Sequence, residues 1–210
     1  HQRAAKAQKD GLLNEEICTV EIPLRNGDNL TVNDDEGIRQ DADFDSMSRL
    51  SPAFTKNGTI TAGNASQISD GAAAVIVTTM DKAEEMRIEP VAELMAHGQV
   101  AGPDTSLLHQ PSSAINVALD SAGMKVSDLD LFEINEAFAA VALASMSHLG
   151  LSDEIVNVNG GAIALGHPIG MSGTRVVLTL IHELQRRGGG LGAASLCGGG
   201  GQGEALILKV

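Results

Sequence analysis

Three polar residues stand where strand-like runs give way to loops of glycine and other small side chains: Asn135 in NEAF, His167 in GHP and Cys197 in CGGGG. A thiol beside an imidazole can exchange protons near neutral pH, and an amide together with glycine N–H groups can hold an oxyanion. Each residue also has a plainer explanation: Asn135 as a helix cap, Cys197 as a small buried side chain, His167 as a loop histidine. Their joint placement favours chemistry, because strand-to-loop junctions of an open α/β sheet gather along one edge. The stretch around His167, Asn157 to Gly173, reads NVNGGAIALGHPIGMSG and packs five glycines into its length. Glycine lets backbone N–H groups approach a ligand, and Pro168 biases His167 toward an extended conformation, so the imidazole is held rather than loose.

The elements that must position these residues follow from patterning. HQRAAKAQKD is the end of a helix that stops at Asp10, with Gly11 beyond it. From Asn14 to Leu30 branched and polar residues alternate around an Asn26, Gly27, Asp28 turn, which predicts a hairpin with Cys18 as a structural residue of its first strand. Asp34 to Asp45 is an acidic loop. The polar stretch from Ser51 onward reads as a binding surface, since long unstructured loops are uncommon unless functional. It leads into Ala72 to Val77, an apolar run expected to be a strand buried on both faces.

DKAEEMRI predicts a short charged helix broken by Pro90, and VAELMAHGQVA a strand. SSAINVALDSAGM predicts a helix with Ser112 as its cap and Gly123 as its stop. LFEIN begins extended and turns helical at or after Asn135. TRVVLTLIHELQRR is apolar around most of its circumference, as expected of a helix buried between layers. The last two strands, around a turn of four glycines, must be antiparallel. The whole reads as an α/β domain with a mixed sheet.

At 210 residues and 43% hydrophobic, the chain can bury a real core. The formal charge of −13 lacks the basic footprint that nucleic acid requires. No apolar run reaches the length of a membrane span, no motif suggests a metal, and the two cysteines, Cys18 and Cys197, carry no disulfide or metal spacing, so a soluble, reducing, cytoplasmic setting is expected. The chain opens on His1 with a helix already under way and no secretory leader, which reads as a truncation of something longer.

Four motifs in order, SPAF with TAGNASQISDGAAAV from Ser51 to Val75, NEAFA at Asn135, NVNGGAIALGHPIGMSG around His167 and CGGGGQG from Cys197, resemble the thiolase family. With the opening helix the resemblance covers essentially all of the chain, and within the family it is most similar to the bacterial acetyl-CoA acetyltransferases. It implies a layered α/β/α fold of which the C-terminal half and part of the loop domain are present. The implied division is residues 1–68 as part of the CoA-binding loop domain, 69–88 as the last strand and connection of the N-terminal domain, and 89–210 as the C-terminal domain.

The resemblance further implies Claisen condensation of two acetyl-CoA molecules to acetoacetyl-CoA, and thiolysis in reverse, without a cofactor. Cys197 matches the acid/base cysteine, His167 the histidine that activates the nucleophilic cysteine and helps hold the enolate oxygen, Asn135 the residue that positions a water in that oxyanion hole, and Gly199 a backbone donor to the second hole. Arg39 matches a residue near the adenine end of CoA. Ser46, Leu50, Phe54, Ala62, Gly63, Ser66, Ala137 and Phe138 match the pantetheine channel.

The family's nucleophile belongs to its first half, and Cys18, in a hairpin without glycine framing, is no substitute. The chain is therefore expected to be incomplete alone, to expose an apolar face, and to require the N-terminal half, with a homo-oligomer as the full assembly. Alternatives are a 3-ketoacyl-CoA thiolase of fatty-acid degradation, a non-catalytic acyl-CoA-binding module, and a Cys/His hydrolase acylated on Cys197. Intact Asn135, His167 and Cys197 speak against the non-catalytic module.

Overall fold

The computed structural model describes residues 1–210. Helix α1 (Gln2–Lys9) buries Ala4 and Ala7 and ends at Asp10. A 3-10 turn, Leu12–Glu15, leads to the expected hairpin of β1 (Val20–Pro23) and β2 (Asn29–Val32), paired antiparallel. Its turn is closed by the Asn26 side chain, whose Oδ1 accepts the Asp28 N–H at 3.1 Å. Helix α2 (Phe44–Ser48) starts at a reciprocal cap between Asp43 and Ser46, and α3 (Met80–Met86) is capped by Thr79.

The rest builds a layered domain from β3 (Glu93–Ala101), α4 (Gln110–Ala122), β4 (Leu131–Ile134), α5 (Ala139–Leu149), α6 (Ala162–Leu165), α7 (Ser172–Arg186), β5 (Leu191–Gly198) and β6 (Gln202–Lys209). The strands form one mixed sheet in the order β3-β6-β5-β4. The short turn from Gly199 to Gly201 makes β5 and β6 antiparallel, and the long helical crossover makes β4 and β5 parallel. Strand alternation splits the core in two. Phe132, Ile134 and Ala193 face α4 and α5 with Ile115, Ala118 and Leu119. Leu131 and Ala194 face α7 with Val176, Leu180 and Leu184. Helices cover both faces of the sheet, which is the α/β/α layering that the sequence implied.

Four expectations need correction. Ala72 to Val77 forms no strand, and Ile76 and Val77 are 97% and 79% exposed. No strand of this chain lies beside that run to supply ladder partners or to cover its apolar side chains. Ser112 does not cap α4, which starts at His109 with Pro111 in its first turn. Its hydroxyl instead bonds back to His109 O at 2.8 Å and meets His148 Nδ1 at 2.8 Å. Cys18 lies ahead of β1 rather than in it, and is exposed. Finally, α7 is fully buried only along the face toward the sheet, while its other positions are half-buried and Gln185 is exposed.

The chain exposes 12363 Å², about a third more than the ~9,200 Å² typical of a folded monomer of this mass. Part of that excess is apolar: Ile68, Val75, Ile76, Val77, Met80 and Ile88 are all exposed.

The tightest helix-to-sheet approach is at Gly98 in β3, where a Cβ would sit 2.1 Å from Ala114 O and 2.6 Å from Ala118 N. Neither backbone atom can yield without moving α4. Gly98→Ala is therefore expected to destabilise the domain by about 2 kcal/mol or more, read as a fall in the urea midpoint of the purified chain.

Candidate active site

Because β4 and β5 run parallel, their C-terminal ends lie at the same edge. Asn135, the first residue past β4, is fully buried, and its N–H donates to Ser195 O at 2.9 Å. Cys197 lies two residues past Ser195 on the adjacent strand, ~4.8 Å away in the pairing direction. His167 reaches the same edge through the connection from α6 to α7.

The glycine-rich segment ahead of α6, which leads into that connection, is anchored by Asn157, one of two non-glycine residues with positive φ, at 46°. Its side-chain amide pairs with the Ile134 backbone as a next strand residue would. Oδ1 accepts the Ile134 N–H at 2.8 Å and Nδ2 donates to Ile134 O at 2.8 Å. Nδ2 also donates to Glu136 Oε1 at 2.8 Å, while Glu136 Oε2 accepts the Ile163 N–H at 3.1 Å. Gly161 makes this possible, since a Cβ there would lie 2.4 Å from the Glu136 carboxyl carbon. On the other side, the His167 N–H donates to Gln67 O at 3.0 Å, and the Gln67 amide donates to Gly37 O, Ile163 O and Ala164 O at 2.9 to 3.1 Å.

The His167 ring is held at both nitrogens. Nε2 lies 3.3 Å from Asn135 Nδ2, and Nδ1 lies 2.6 Å from Ser172 Oγ. Burial, with the Arg175 guanidinium nearby, pushes the imidazole below its ordinary value, so it is neutral at pH 7 and able to accept a proton. Burial pushes the Cys197 thiol up, which keeps it protonated at rest. The hydrogen bonds of His167 go to Asn135 and Ser172, and none joins it to Cys197. Asn135 Oδ1 is buried without a protein partner. Gly199 is exposed in the turn after β5, with open space where a Cβ would point. The structure thus brings Asn135 and His167 into contact and places Cys197 and Gly199 at the same edge of the sheet.

Beneath the site lies a buried Glu–Arg pair that the sequence reading passed over. Glu133, buried in β4, accepts from Arg175 of α7 at 3.2 Å. Burial pushes its carboxyl up to about 8, against the pull of Arg175 and with a further push from Glu136 and Glu16. Burial also raises Glu16, whose Oε2 accepts from Thr179 at 2.7 Å. A glutamate inside the apolar run LFEI was the available signal. Ser172 and Gln67 were also missed, and nothing in their local sequence assigns them a part in holding His167.

A cleft of about 500 Å³ opens beside this edge. Of the residues expected along the CoA path, Arg39, Ser46, Leu50, Ala62, Gly63 and Ser66 line it. Phe54, Ala137 and Phe138 do not line it. Phe54 is 71% exposed and meets Phe138 edge-on, with ring centroids 6.2 Å apart, while Ala137 O accepts the Ser66 N–H at 3.1 Å. Met47, Gln67 and Ile163 line the cleft without having been anticipated. Gln67 is thus a shared wall, lining the cleft and holding His167 with its carbonyl.

A helix-covered mixed sheet with Asn, His and Cys at one strand edge, beside a thin cleft, defines the class of protein. Residues 88–210 match the family model for the thiolase C-terminal domain, and residues 1–81 that for the thiolase N-terminal domain. The chain belongs to the thiolase family. It is 59% identical over 209 residues to a probable acetyl-CoA acetyltransferase of Mycobacterium tuberculosis, covering 100% of this chain and 53% of that protein. Among solved structures, the Bacillus anthracis acetyl-CoA acetyltransferase superposes with a TM-score of 0.95 at 40% identity, covering 100% of this chain and 53% of that one. Human mitochondrial 3-ketoacyl-CoA thiolase in complex with CoA superposes with a TM-score of 0.90 at 42% identity, covering 99% and 51%. The chain spans about half the length of the curated relatives it matches.

Glu133 yields a pH test. It binds its proton more tightly folded than unfolded, so protonation favours the folded state, and its contribution is lost as pH rises from 4.5 through about 8. Glu133→Gln, which is neutral throughout, is expected to flatten that decline. Residual slope should remain from Glu16, whose pKa is also raised. Urea titrations at a series of pH values in this window would show it.

Proposed function

We propose that this chain supplies the acid/base and oxyanion half of an acetyl-CoA C-acetyltransferase. The reaction is condensation of two acetyl-CoA to acetoacetyl-CoA and its reverse, thiolysis by CoA, with the nucleophilic cysteine coming from outside these residues. The observation that carries the reading is the Asn135 to His167 contact at the strand edge where Cys197 sits, beside the cleft.

In this reading His167 Nε2 takes the proton of the nucleophilic thiol, whose sulfur attacks the thioester and is acetylated with release of CoA. Cys197 gives its proton to the departing CoA thiolate, and the Cys197 thiolate so formed removes a methyl proton from a second acetyl-CoA. The enolate oxygen is held by protonated His167 and by a water bonded to Asn135, whose unpartnered Oδ1 suits that task. The enolate carbon attacks the acetyl-enzyme, the Gly199 N–H helps hold the new oxyanion, and collapse expels the nucleophile sulfur. No cofactor enters, since CoA thioesters carry all the reacting groups.

Arg39 at the cleft lies near the adenine end of CoA, and the small Ala62, Gly63 and Ser66 leave room for the pantetheine arm. The remaining expected channel residues, Phe54, Ala137 and Phe138, lie beyond the cleft lining, and we place them around the arm in the assembled enzyme. The division at 1–68, 69–88 and 89–210 goes with this reading, supported by family matches that end at 81 and resume at 88. So do a cytoplasmic location and a homo-oligomeric assembly, dimer or tetramer, with the N-terminal half over the exposed run around Ile76. No helix is long and apolar enough to cross a membrane. A second reading, 3-ketoacyl-CoA thiolase, is favoured by the likeness to the human enzyme and differs only in acyl chain length.

The test is acetoacetyl-CoA thiolysis. The purified chain alone is expected to be inactive, and addition of the family's N-terminal half to restore turnover. In the restored form His167→Ala should lower kcat about 10²- to 10⁴-fold. Arg39→Ala should raise KM for CoA about 10-fold with kcat little changed. Turnover by the chain alone, with acylation trapped on Cys197, would overturn the reading in favour of a hydrolase. Preference for longer 3-ketoacyl-CoA substrates would select the second reading.

A further inference from the structure

We infer that Ser172 is a positioning residue that fixes the tautomer of His167, keeping the proton on Nδ1 so that Nε2 alone works as base and then as donor. This rests on the thiolase reading for its catalytic consequence, but not for the tautomer itself.

The hydrogen-bond chain sets the direction. Ser172 is buried in the first turn of α7, and its Oγ lies 2.9 Å from Pro168 O, which can only accept. With the single hydroxyl proton donated to Pro168 O, Oγ is left to accept, and the group 2.6 Å away is His167 Nδ1. Nδ1 must then carry hydrogen. On the far side of the ring, Asn135 Nδ2 at 3.3 Å can only donate, so Nε2 must present its lone pair. All contacts agree on the Nδ1–H form. The opposite tautomer would set two N–H groups face to face at Nε2. Turning the Asn135 amide would relieve that, at the cost of leaving both amide N–H groups without protein partners, rather than one N–H and the carbonyl oxygen.

The consequence is mechanistic. In the proposed reaction Nε2 first takes a proton from the thiol and then donates that same hydrogen to the enolate oxygen. Both tasks fall to Nε2 only if Nδ1 holds its own proton throughout. The accepting Ser172 oxygen also stabilises the imidazolium formed between the two steps. Without it, only the 3.3 Å contact with Asn135 opposes a proton on Nε2, where it would block the base.

The test reads the tautomer directly, by ¹⁵N NMR of the purified chain labelled at histidine, with His167 assigned by its loss in His167→Asn. The wild-type protein is expected to show a protonated Nδ1 and an unprotonated Nε2 at a pH where the ring is neutral. Ser172→Ala should shift the proton toward Nε2, and Ser172→Thr should keep the wild-type pattern. If Ser172→Ala does not fold, by circular dichroism, Ser172→Cys takes its place, as a near-isosteric side chain that accepts poorly. In the enzyme restored with its N-terminal half, Ser172→Ala should lower kcat about 10- to 100-fold with KM within about twofold. A wild-type Nε2–H tautomer overturns the inference, as does a tautomer indifferent to loss of the hydroxyl. Since the spectrum needs no turnover, failure of the thiolase reading and failure of this inference are separate results.

Discussion

The site hangs on the amide of Asn157. By pairing with both backbone groups of Ile134, it continues β4 where the strand itself has ended, and so ties the glycine-rich connection to the sheet edge. One side of the His167 setting is fastened to this tie: Glu136 bonds both Asn157 and Ile163, and Asn135 is the residue between the tie and the imidazole. The two bonds to Ile134 are buried, where an unmade hydrogen bond costs far more than a made one contributes. That asymmetry makes the connection rigid despite its glycines. The glycines serve this rigidity, as at Gly161, where the Glu136 carboxyl occupies the space a side chain would need.

Electrostatics below the edge work in the same direction. A buried pair such as Glu133 and Arg175 contributes little to net stability, because desolvation offsets most of the attraction. Its position is informative all the same. Arg175 lies close enough to His167 to disfavour the imidazolium, and Glu133 holds Arg175 in that place. A neutral histidine at rest is what a base requires, and burial with one fixed positive charge provides it.

The surface tells a complementary story. Residues 71–79 carry the composition of a core strand and the exposure of a loop, and the total exposed area is larger than a self-contained domain of this mass needs. By contrast, the sheet of residues 93–209 is covered by helices on both faces and fully buries Leu131, Phe132, Ile134 and Ile207. One part of the chain is finished within itself, and the other presents strand-like apolar surface outward.

Elements whose partners lie within the chain were legible in the sequence. The hairpin around Asn26 to Asp28, α4 with its Gly123 stop, the β5 to β6 turn and the mixed sheet follow from local periodicity and turn chemistry, which act over a few residues. So does the grouping of Asn135 and Cys197 at adjacent strand ends, because parallel strands send those ends to one edge. His167 was expected at a strand end as well, but it follows α6 and no strand, and only the folded connection brings it there. Tertiary structure decided what depends on contacts distant in sequence. Ala72 to Val77 has strand composition, but a strand is a relation to neighbours, and none stands beside it here. Ser112 looks like a cap, yet Pro111 already occupies the first turn and His148 arrives from α5. Ser172 and Gln67 carry no signal in their own surroundings. Their roles exist only because folding brings one hydroxyl and one carbonyl against the same histidine, and hydrogen bonds are decided by distances of tenths of an ångström that no spacing along the chain encodes.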